Sequence, residues 1–315
     1  MSIKAFFKWA IGAALIALLL AFVDWRETLV LLINVRAVPI ALAIVTGILG
    51  ILVSVAKWRI LLAAQAVELP WFPLVSYYWT GTFFSNFLPT SVGGDVVRLV
   101  AMRQHGQSAQ IGSSIVAERL SGVMVLVLLC ALGLLMRQEY FRATGVYLVL
   151  WAAVIGAATA IVVCVQFGRR LLAYSSTRLA ISGAWQLKLS EILRKITESF
   201  DLYSKRLLSL SFAFLISFPF YFLVMLSQFL VIQAFEVDLR FEEVVYIAPM
   251  IALVSMIPLS PNAVGVAEGA FVLFYTQAGL TVEQAFAAAI VRRAVNLLVS
   301  SIGGVFWALQ SSETR

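Results

Sequence analysis

The sequence predicts an all-α polytopic membrane protein, and three observations favour this fold class. The 315-residue chain is 62% hydrophobic and only 12% charged, with a mean hydropathy of +0.97. Soluble domains carry about 25% charged residues, so most of this surface is unsuited to water. Long apolar runs recur along the chain, and basic residues collect between alternate runs. The short alternating segments of a membrane β-barrel are not found, so helices are the expected spanning elements.

Six apolar runs are long enough to cross the hydrocarbon core, which requires about 20 helical residues. They cover residues 5–23, 37–56, 111–136, 146–167, 207–235 and 282–309. The first run follows Lys4, as in a signal peptide, but no convincing small-residue cleavage pattern accompanies it, so we interpret it as a retained helix. The sequence therefore predicts a single transmembrane domain over residues 1–315 with about six spanning helices.

Basic residues lie mainly on one side of the predicted membrane. With Lys4 and Lys8 in the cytoplasm, the six crossings put 15 basic residues inside and five outside. This bias fits the positive-inside rule, with Lys57 and Arg98 counted as cytoplasmic. We therefore expect a bacterial inner-membrane protein with both termini in the cytoplasm. The net charge of +7 then reflects topology, and no nucleic-acid partner is expected.

The segment between the fourth and fifth runs is strongly basic. Residues 169–206 contain eight of the cytoplasmic basic residues. Within it, the apolar spacing over 187–203 is typical of an amphipathic helix on the cytoplasmic leaflet. We interpret 169–206 as a cytoplasmic connector, with a regulatory role left open.

Two further apolar segments are broken by proline and glycine. The first, in 71–106, is interrupted at Pro89 and Gly93-Gly94, and the second, in 244–279, at Pro258 and the residues that follow. Proline lacks a backbone donor and glycine permits backbone shapes that other residues resist. A full crossing at the first break would move the basic connector outside, so we interpret both segments as re-entrant helical hairpins. Non-helical backbone at membrane depth is tolerated only inside protein or along a wet cavity, so the breaks predict a cavity.

The two broken segments resemble each other in spacing. Three pairs of positions are each 173 residues apart: Asp95 and Glu268, Gly106 and Gly279, and Arg119 and Arg292. This offset predicts a repeat, with one unit at about 38–136 and the other at about 206–309. Because the first helices of the units run in opposite directions in this topology, the repeat is inverted, an arrangement recurrent in transporters.

Charged residues inside predicted spans provide the candidate site. Glu118, Arg119, Arg292 and Arg293 each cost about 2.5–3.5 kcal/mol to insert. With Asp95, Glu268 and Arg98, the balance is four basic residues to three acidic ones. Mutual neutralisation is one interpretation, but a surplus positive charge also suits a lipid phosphate, which an arginine fork binds in bidentate fashion. The candidate substrate-binding residues are Asn86, Pro89, Ser91, Gly93, Gly94, Asp95, Arg98, Glu118, Arg119, Ser260, Asn262, Gly265, Glu268, Arg292 and Arg293.

Several motifs resemble a known family. They are NFLPTSVGGDVVR at 86–98, IVAERLSG at 115–122, PLSPNAVGVAEGAF at 258–271 and the late arginine pair followed by Gly303-Gly304. Together they resemble the flippase-like transmembrane domain of lysylphosphatidylglycerol synthases and its stand-alone relatives. The second loop departs from the family's more usual glycine-rich form at Asn262-Ala263-Val264.

The resemblance implies that the protein moves a lipid between leaflets. The cargo would be an anionic phospholipid, an aminoacylated lipid or a polyprenyl-linked glycolipid, and a lipid-modifying enzyme or glycosyltransferase is a possible partner. The synthases add a soluble aminoacyltransferase domain; this chain ends at Arg315, just after its last span, so no synthase activity is expected.

Two other functions stay open at this point. One is a transporter of a small polar solute, and the other is a non-transporting scaffold for a lipid-modifying enzyme. The sequence contains no P-loop and no usual metal-ligand spacing, so neither enzyme activity nor a cofactor or metal is expected.

Overall fold

A computed structural model describes residues 23–87, 93–103, 106–178, 207–257 and 259–313, together with residues 17, 20 and 21; for 164–178, 207 and 310–313 it describes the backbone alone. The described residues form helices and contain no strand, which confirms the all-α class for this part of the chain. In chain order, the helices are α1 (Trp25–Ile33), α2 (Ala37–Ala64), α3 (Trp71–Phe87), α4 (Gly93–Ala101), α5 (Ser108–Met136), α6 (Gln138–Ala143), α7 (Tyr147–Arg178), α8 (Leu207–Gln233), α9 (Phe241–Ser255), α10 (Val266–Gln277) and α11 (Val282–Glu313).

Four of these helices, α2, α5, α8 and α11, are long and apolar enough to cross a membrane. The described apolar part of α7, Tyr147–Val163, is shorter. The predicted first span, 5–23, falls almost entirely outside the described residues, as does the amphipathic segment 187–203. The protein is therefore a multi-pass membrane protein, and the count of six spans stays a prediction.

Helix α2 is longer than the sequence predicted. It continues to Ala64, about two turns beyond the expected end at residue 56. Lys57 consequently lies within the helix and is buried, as is Arg98 on α4. The charge count treated both as residues outside the spans on the cytoplasmic side; the structure instead buries them within helices, where oxygen partners inside the protein offset the cost of burial.

The two long helices α2 and α8 pack against each other and run antiparallel. Ser227 on α8 donates a hydrogen bond to the carbonyl of Ala43, near the start of α2, at 3.0 Å. Nearer the end of α2, Lys57 Nζ donates to Ser217 Oγ on α8 at 3.3 Å. As the residue number rises along α2 it falls along α8, which defines the antiparallel pair.

The other helices pack in a reciprocal pattern between the two halves of the chain. Helix α3 packs on α11, where Trp79 Nε1 donates to the carbonyl of Val299 at 2.7 Å. In the same way, α9 packs on α5, where Gly133 lies against Tyr246. The short helices α4 and α10 pack on their predecessors, α3 and α9. The runs α2–α5 and α8–α11 thus share one order: a long helix, a medium helix, a short helix and a long helix.

Both predicted breaks interrupt the helices. Helix α3 ends at Phe87 and α4 begins at Gly93, with Pro89 and Ser91 outside the described residues. Helix α9 ends at Ser255, and a 3₁₀ turn at Pro261–Ala263 precedes α10. Asn262 and Gly265 have φ values of 49° and 82°, a region disfavoured for residues that carry a Cβ, so this loop is held by its surroundings.

Candidate functional site

The first hairpin is tightly closed by glycine. A Cβ atom on Gly94 would lie 2.1 Å from the carbonyl oxygen of Gly81 and 2.0 Å from Ser85 Oγ. Only hydrogen at this position allows α4 to approach α3 so closely. This approach holds α4 inside the protein, with Asp95 in its first turn and Arg98 in its last turn, and both residues are buried.

Arg98 has partners on three helices. Its Nη2 donates to Glu118 Oε2 on α5 at 2.8 Å, and its guanidinium lies over the rings of Trp58 and Tyr78, 3.9 and 4.3 Å from their centroids. A Cβ on Gly81 would lie 2.4 Å from Arg98 Cγ, so this glycine leaves the space that the arginine stem occupies. An ion pair together with aromatic contacts is the environment in which a buried guanidinium is best stabilised.

Glu118 is the acceptor at the centre of this cluster. Its second carboxylate oxygen accepts from the Tyr78 hydroxyl at 2.7 Å, and its backbone carbonyl accepts from Lys57 Nζ at 3.1 Å. The carboxylate is therefore satisfied on both oxygens, as a buried charge requires. Lys57 and Tyr78 were not predicted from the sequence to belong to the site. The signal that could have indicated Lys57 is that apolar residues lie on both sides of it, so the helix can continue through it.

Asp95 connects two arginines of different exposure. Its Oδ1 lies 3.6 Å from Arg98 Nη1, and its Oδ2 accepts from Arg119 Nε. The side chain of Arg98 is 6% exposed, whereas that of Arg119 is 53% exposed. Arg119 can therefore leave Asp95 with little loss of packing, while Arg98 cannot.

The second cluster is built where α10 begins. Glu268 Oε2 accepts from the backbone N–H of Gly265 at 2.7 Å, and its Oε1 lies 2.5 Å from Arg293 Nε. A carboxylate in the first turn satisfies a free N–H of the helix end and suits the helix dipole. Glu268 is thus held by its own helix and, from α11, by Arg293.

Arg292 lies beside this ion pair and has no such partner. Its guanidinium lies over the ring of Phe271, 5.6 Å from the centroid, and its Nε is buried without a hydrogen-bond acceptor. Among the described residues, it forms no ion pair. The 173-residue offset matched Arg119 with Arg292, but the arginine that binds Glu268 is Arg293. The spacing from the acid to its arginine partner is 24 residues between Asp95 and Arg119 but 25 between Glu268 and Arg293, because α10 is three residues longer than α4 and the loop after it is two residues shorter.

The two interrupted segments also touch each other. Asn262 Nδ2 donates to Asn86 Oδ1 at 3.0 Å, joining the loop before α10 to the end of α3. Ser260 Oγ donates to the carbonyl of Val264 and so serves the backbone of its own loop. Of the predicted neutral residues, the asparagines therefore connect the two hairpins, whereas Ser260 stabilises one of them.

The charges of the site do not balance. The first cluster holds Lys57, Arg98 and Arg119 against two carboxylates, and the second holds two arginines against Glu268. Each cluster therefore carries one surplus positive charge. In the described part of the chain, no group of three His, Cys, Asp or Glu side chains could hold a metal ion.

Comparisons with known proteins identify a family for this chain. Residues 6–304 match the family described as the lysylphosphatidylglycerol synthase TM region. A UPF0104 membrane protein of Methanothermobacter thermautotrophicus is 22% identical over 287 residues, covering 85% of this chain and 84% of that protein. No solved structure matches the chain. The family match extends over nearly the whole chain and confirms the resemblance seen in the motifs, so this protein belongs to the family of the lysylphosphatidylglycerol synthase transmembrane region.

Proposed function

We propose that the protein is a lipid transporter, or flippase, that moves a lipid with an anionic headgroup between the leaflets of the cytoplasmic membrane. The observation that carries this proposal is the surplus positive charge at both charged clusters, each beside an interrupted helix. Charges within spanning helices are costly, and where they persist they mark substrate pathways. Membership of a family built on a lipid-related membrane domain favours a lipid over a soluble solute.

The transport pathway in this proposal lies between two inverted units, α2–α5 and α8–α11. The antiparallel pairing of α2 and α8 supports the inversion, because these helices open the two units. The matching order of helices and the reciprocal packing of α3 on α11 and α9 on α5 support it further. Substrate sites of inverted-repeat transporters lie at the interface of the repeats, near the midplane.

Exchange of ion pairs is the proposed means of receiving the headgroup. Asp95 holds Arg119, and Glu268 holds Arg293, while no headgroup is present. A phosphate then replaces each carboxylate as the acceptor of the guanidinium N–H groups. Arginine suits this exchange because its planar fork donates two parallel hydrogen bonds to either group.

The test is leaflet-resolved transport of fluorescent phosphatidylglycerol in proteoliposomes. We expect Arg119→Lys and Arg293→Lys to reduce the flux about tenfold or more while the variants stay folded, because lysine keeps the charge but loses the fork. The matched control is Arg36→Lys, since Arg36 forms a surface ion pair with Glu236 and its side chain is 62% exposed. Its flux should equal that of the wild type.

Three results would contradict the proposal. Wild-type flux in both folded lysine variants would remove these arginines from the pathway. Uptake of a soluble polar solute without lipid movement would favour a solute transporter. Stable association with a lipid-modifying enzyme, together with no movement of lipid or solute by the wild type, would favour a scaffold.

A further inference from the structure

The first cluster contains an inner ion pair behind its outer one. The outer pair is Asp95–Arg119. The inner pair is Arg98–Glu118. Arg98 follows Asp95 by three residues, and Glu118 immediately precedes Arg119. Both members of the inner pair are buried, and both are hydrogen-bonded. The guanidinium of Arg98 therefore has a hydrogen-bonded carboxylate partner from a neighbouring helix, although its Nε is buried without a hydrogen-bond partner.

The second cluster keeps the outer pair and changes the inner one. The outer pair is Glu268–Arg293. Three residues after this acid stands Phe271, and immediately before this arginine stands Arg292. These two side chains contact each other, as their counterparts in the first cluster do, but the contact joins a guanidinium to a phenyl ring. In the second cluster, Arg292 therefore stands at the position that corresponds to Glu118, and Phe271 stands at the position that corresponds to Arg98.

Arg292 is consequently a partly buried cation that forms no ion pair among the described residues and whose Nε is buried without an acceptor. A phenyl ring attracts a cation but offers no oxygen to its N–H groups. Its Nε is buried and unpaired, as is the Nε of Arg98, whereas the Nε of Arg293 is paired. Arg98, however, donates to the carboxylate of Glu118, and among the described residues Arg292 forms no ion pair, so Arg292 is the arginine that can take an anion from outside the protein.

We propose that Arg292 is the anchoring residue for a phosphate ester in the second unit, and that the first unit contributes its outer arginine, Arg119, to the pathway but has no counterpart of this anchor. The inner Arg98–Glu118 pair serves the architecture of the first unit and does not exchange for ligand. Arg293 completes the site by turning from Glu268 to the same phosphate. That the phosphate belongs to a lipid headgroup rests on the proposed function. Free inorganic phosphate offers the same oxygen acceptors and would bind the same arginines.

Two glutamine variants separate a binding role from a structural one. Arg292→Gln removes an unpaired charge, so we expect its melting temperature in detergent without added lipid to equal or exceed that of the wild type. Arg98→Gln removes the ion-pair partner of the buried Glu118, so its melting temperature should fall. Stabilisation is then measured with phosphatidylglycerol, with phosphatidylcholine and with inorganic phosphate at constant ionic strength.

Loss of the phosphatidylglycerol response in Arg292→Gln is the expected result. Hydrogen bonds to charged groups contribute enough that the affinity should fall about 10- to 100-fold. Arg292→Lys should bind with intermediate affinity. Stabilisation of the wild type by phosphatidylglycerol, but not by phosphatidylcholine or inorganic phosphate, would identify the lipid headgroup as the ligand.

The inference and the proposed function fail on different results. Wild-type affinity in Arg292→Gln, or a fall in melting temperature as large as that of Arg98→Gln, would overturn the anchoring role even if the wild type transports lipid. Arg292-dependent stabilisation by inorganic phosphate alone, with no lipid flux in the wild type, would uphold the anion site and overturn lipid transport.

Discussion

At the scale of single residues, Glu118 is a buried carboxylate-bearing residue with hydrogen bonds from three side chains. Its carboxylate accepts hydrogen bonds from Arg98 and Tyr78, and its backbone carbonyl accepts one from Lys57. We expect Glu118→Gln to lower the free energy of unfolding in detergent by about 3–5 kcal/mol, because Arg98 is left as a buried charge with a weaker acceptor.

The control for this substitution is an exposed glutamate in an ion pair. Glu236 pairs with Arg36 at 3.5 Å, and its side chain is 73% exposed. Glu236→Gln should change the free energy of unfolding by about 0–1 kcal/mol, since surface ion pairs contribute little. Equal effects of the two substitutions on chemical unfolding would show that burial of Glu118 has no energetic consequence.

Residue-level prediction from the sequence succeeded where charge itself was the signal. Arg98, Arg119 and Glu118 stand out in an apolar chain because each is costly to bury. Lys57 did not stand out, because it lies near the end of an apolar run, where a lysine is usually solvated. Its burial depends on Ser217, which is 160 residues away and reaches it only through tertiary packing.

At the scale of helices, small residues decide how closely α3 and α11 approach each other. A Cβ on Gly303 of α11 would lie 2.1 Å from the carbonyl oxygen of Trp79 on α3, an atom that cannot move independently of its helix. We expect Gly303→Ala to lower the free energy of unfolding by about 1–3 kcal/mol through overpacking. Thermal unfolding in detergent measures this effect.

Gly156 on α7 offers the matched control. A Cβ at this position would have no neighbour within 4 Å, and the residue is exposed. Gly156→Ala should be neutral or stabilise the helix by up to about 1 kcal/mol, because alanine has the higher helix propensity. A Gly303→Ala variant as stable as Gly156→Ala would show that α3 and α11 do not pack as described.

Helix boundaries were predictable where proline and glycine interrupt the apolar pattern of the sequence. Proline and glycine mark both interruptions, and the structure ends α3 and begins α10 at these positions. The end of α2 was not predictable, since no proline or glycine occurs between residue 56 and Ala64 and polar residues there resemble a loop. Packing of this last part of the helix against α5 and α8 keeps it helical.

At the scale of the whole molecule, inversion makes a direct prediction about the two faces of the membrane. Glu68 follows α2 and Glu236 follows α8, so they lie at corresponding points of the two proposed units, and both are exposed. Glu68→Cys should react with a membrane-impermeant thiol reagent only from the cytoplasmic side, and Glu236→Cys only from the outside. Labelling of both from one side would show that the units are parallel.

The sequence by itself determined the class of this protein. Composition, apolar length and the motifs around Asp95 and Glu268 were sufficient to predict a multi-pass helical membrane protein and its family, which the family match confirms. These properties follow from local quantities: the cost of exposing apolar surface and the backbone preferences of proline and glycine.

Tertiary structure alone decided which charges find partners. The spacing from the acid to its arginine partner is one residue longer in the second cluster, so Glu268 pairs with Arg293 and Arg292 lies over Phe271. The 173-residue offset in the sequence does not reveal this change. Lys57 and Glu118 likewise meet only because α2, α5 and α8 pack together. The energy of a buried charge depends on acceptors within a few ångströms, and residues distant in the chain supply those acceptors.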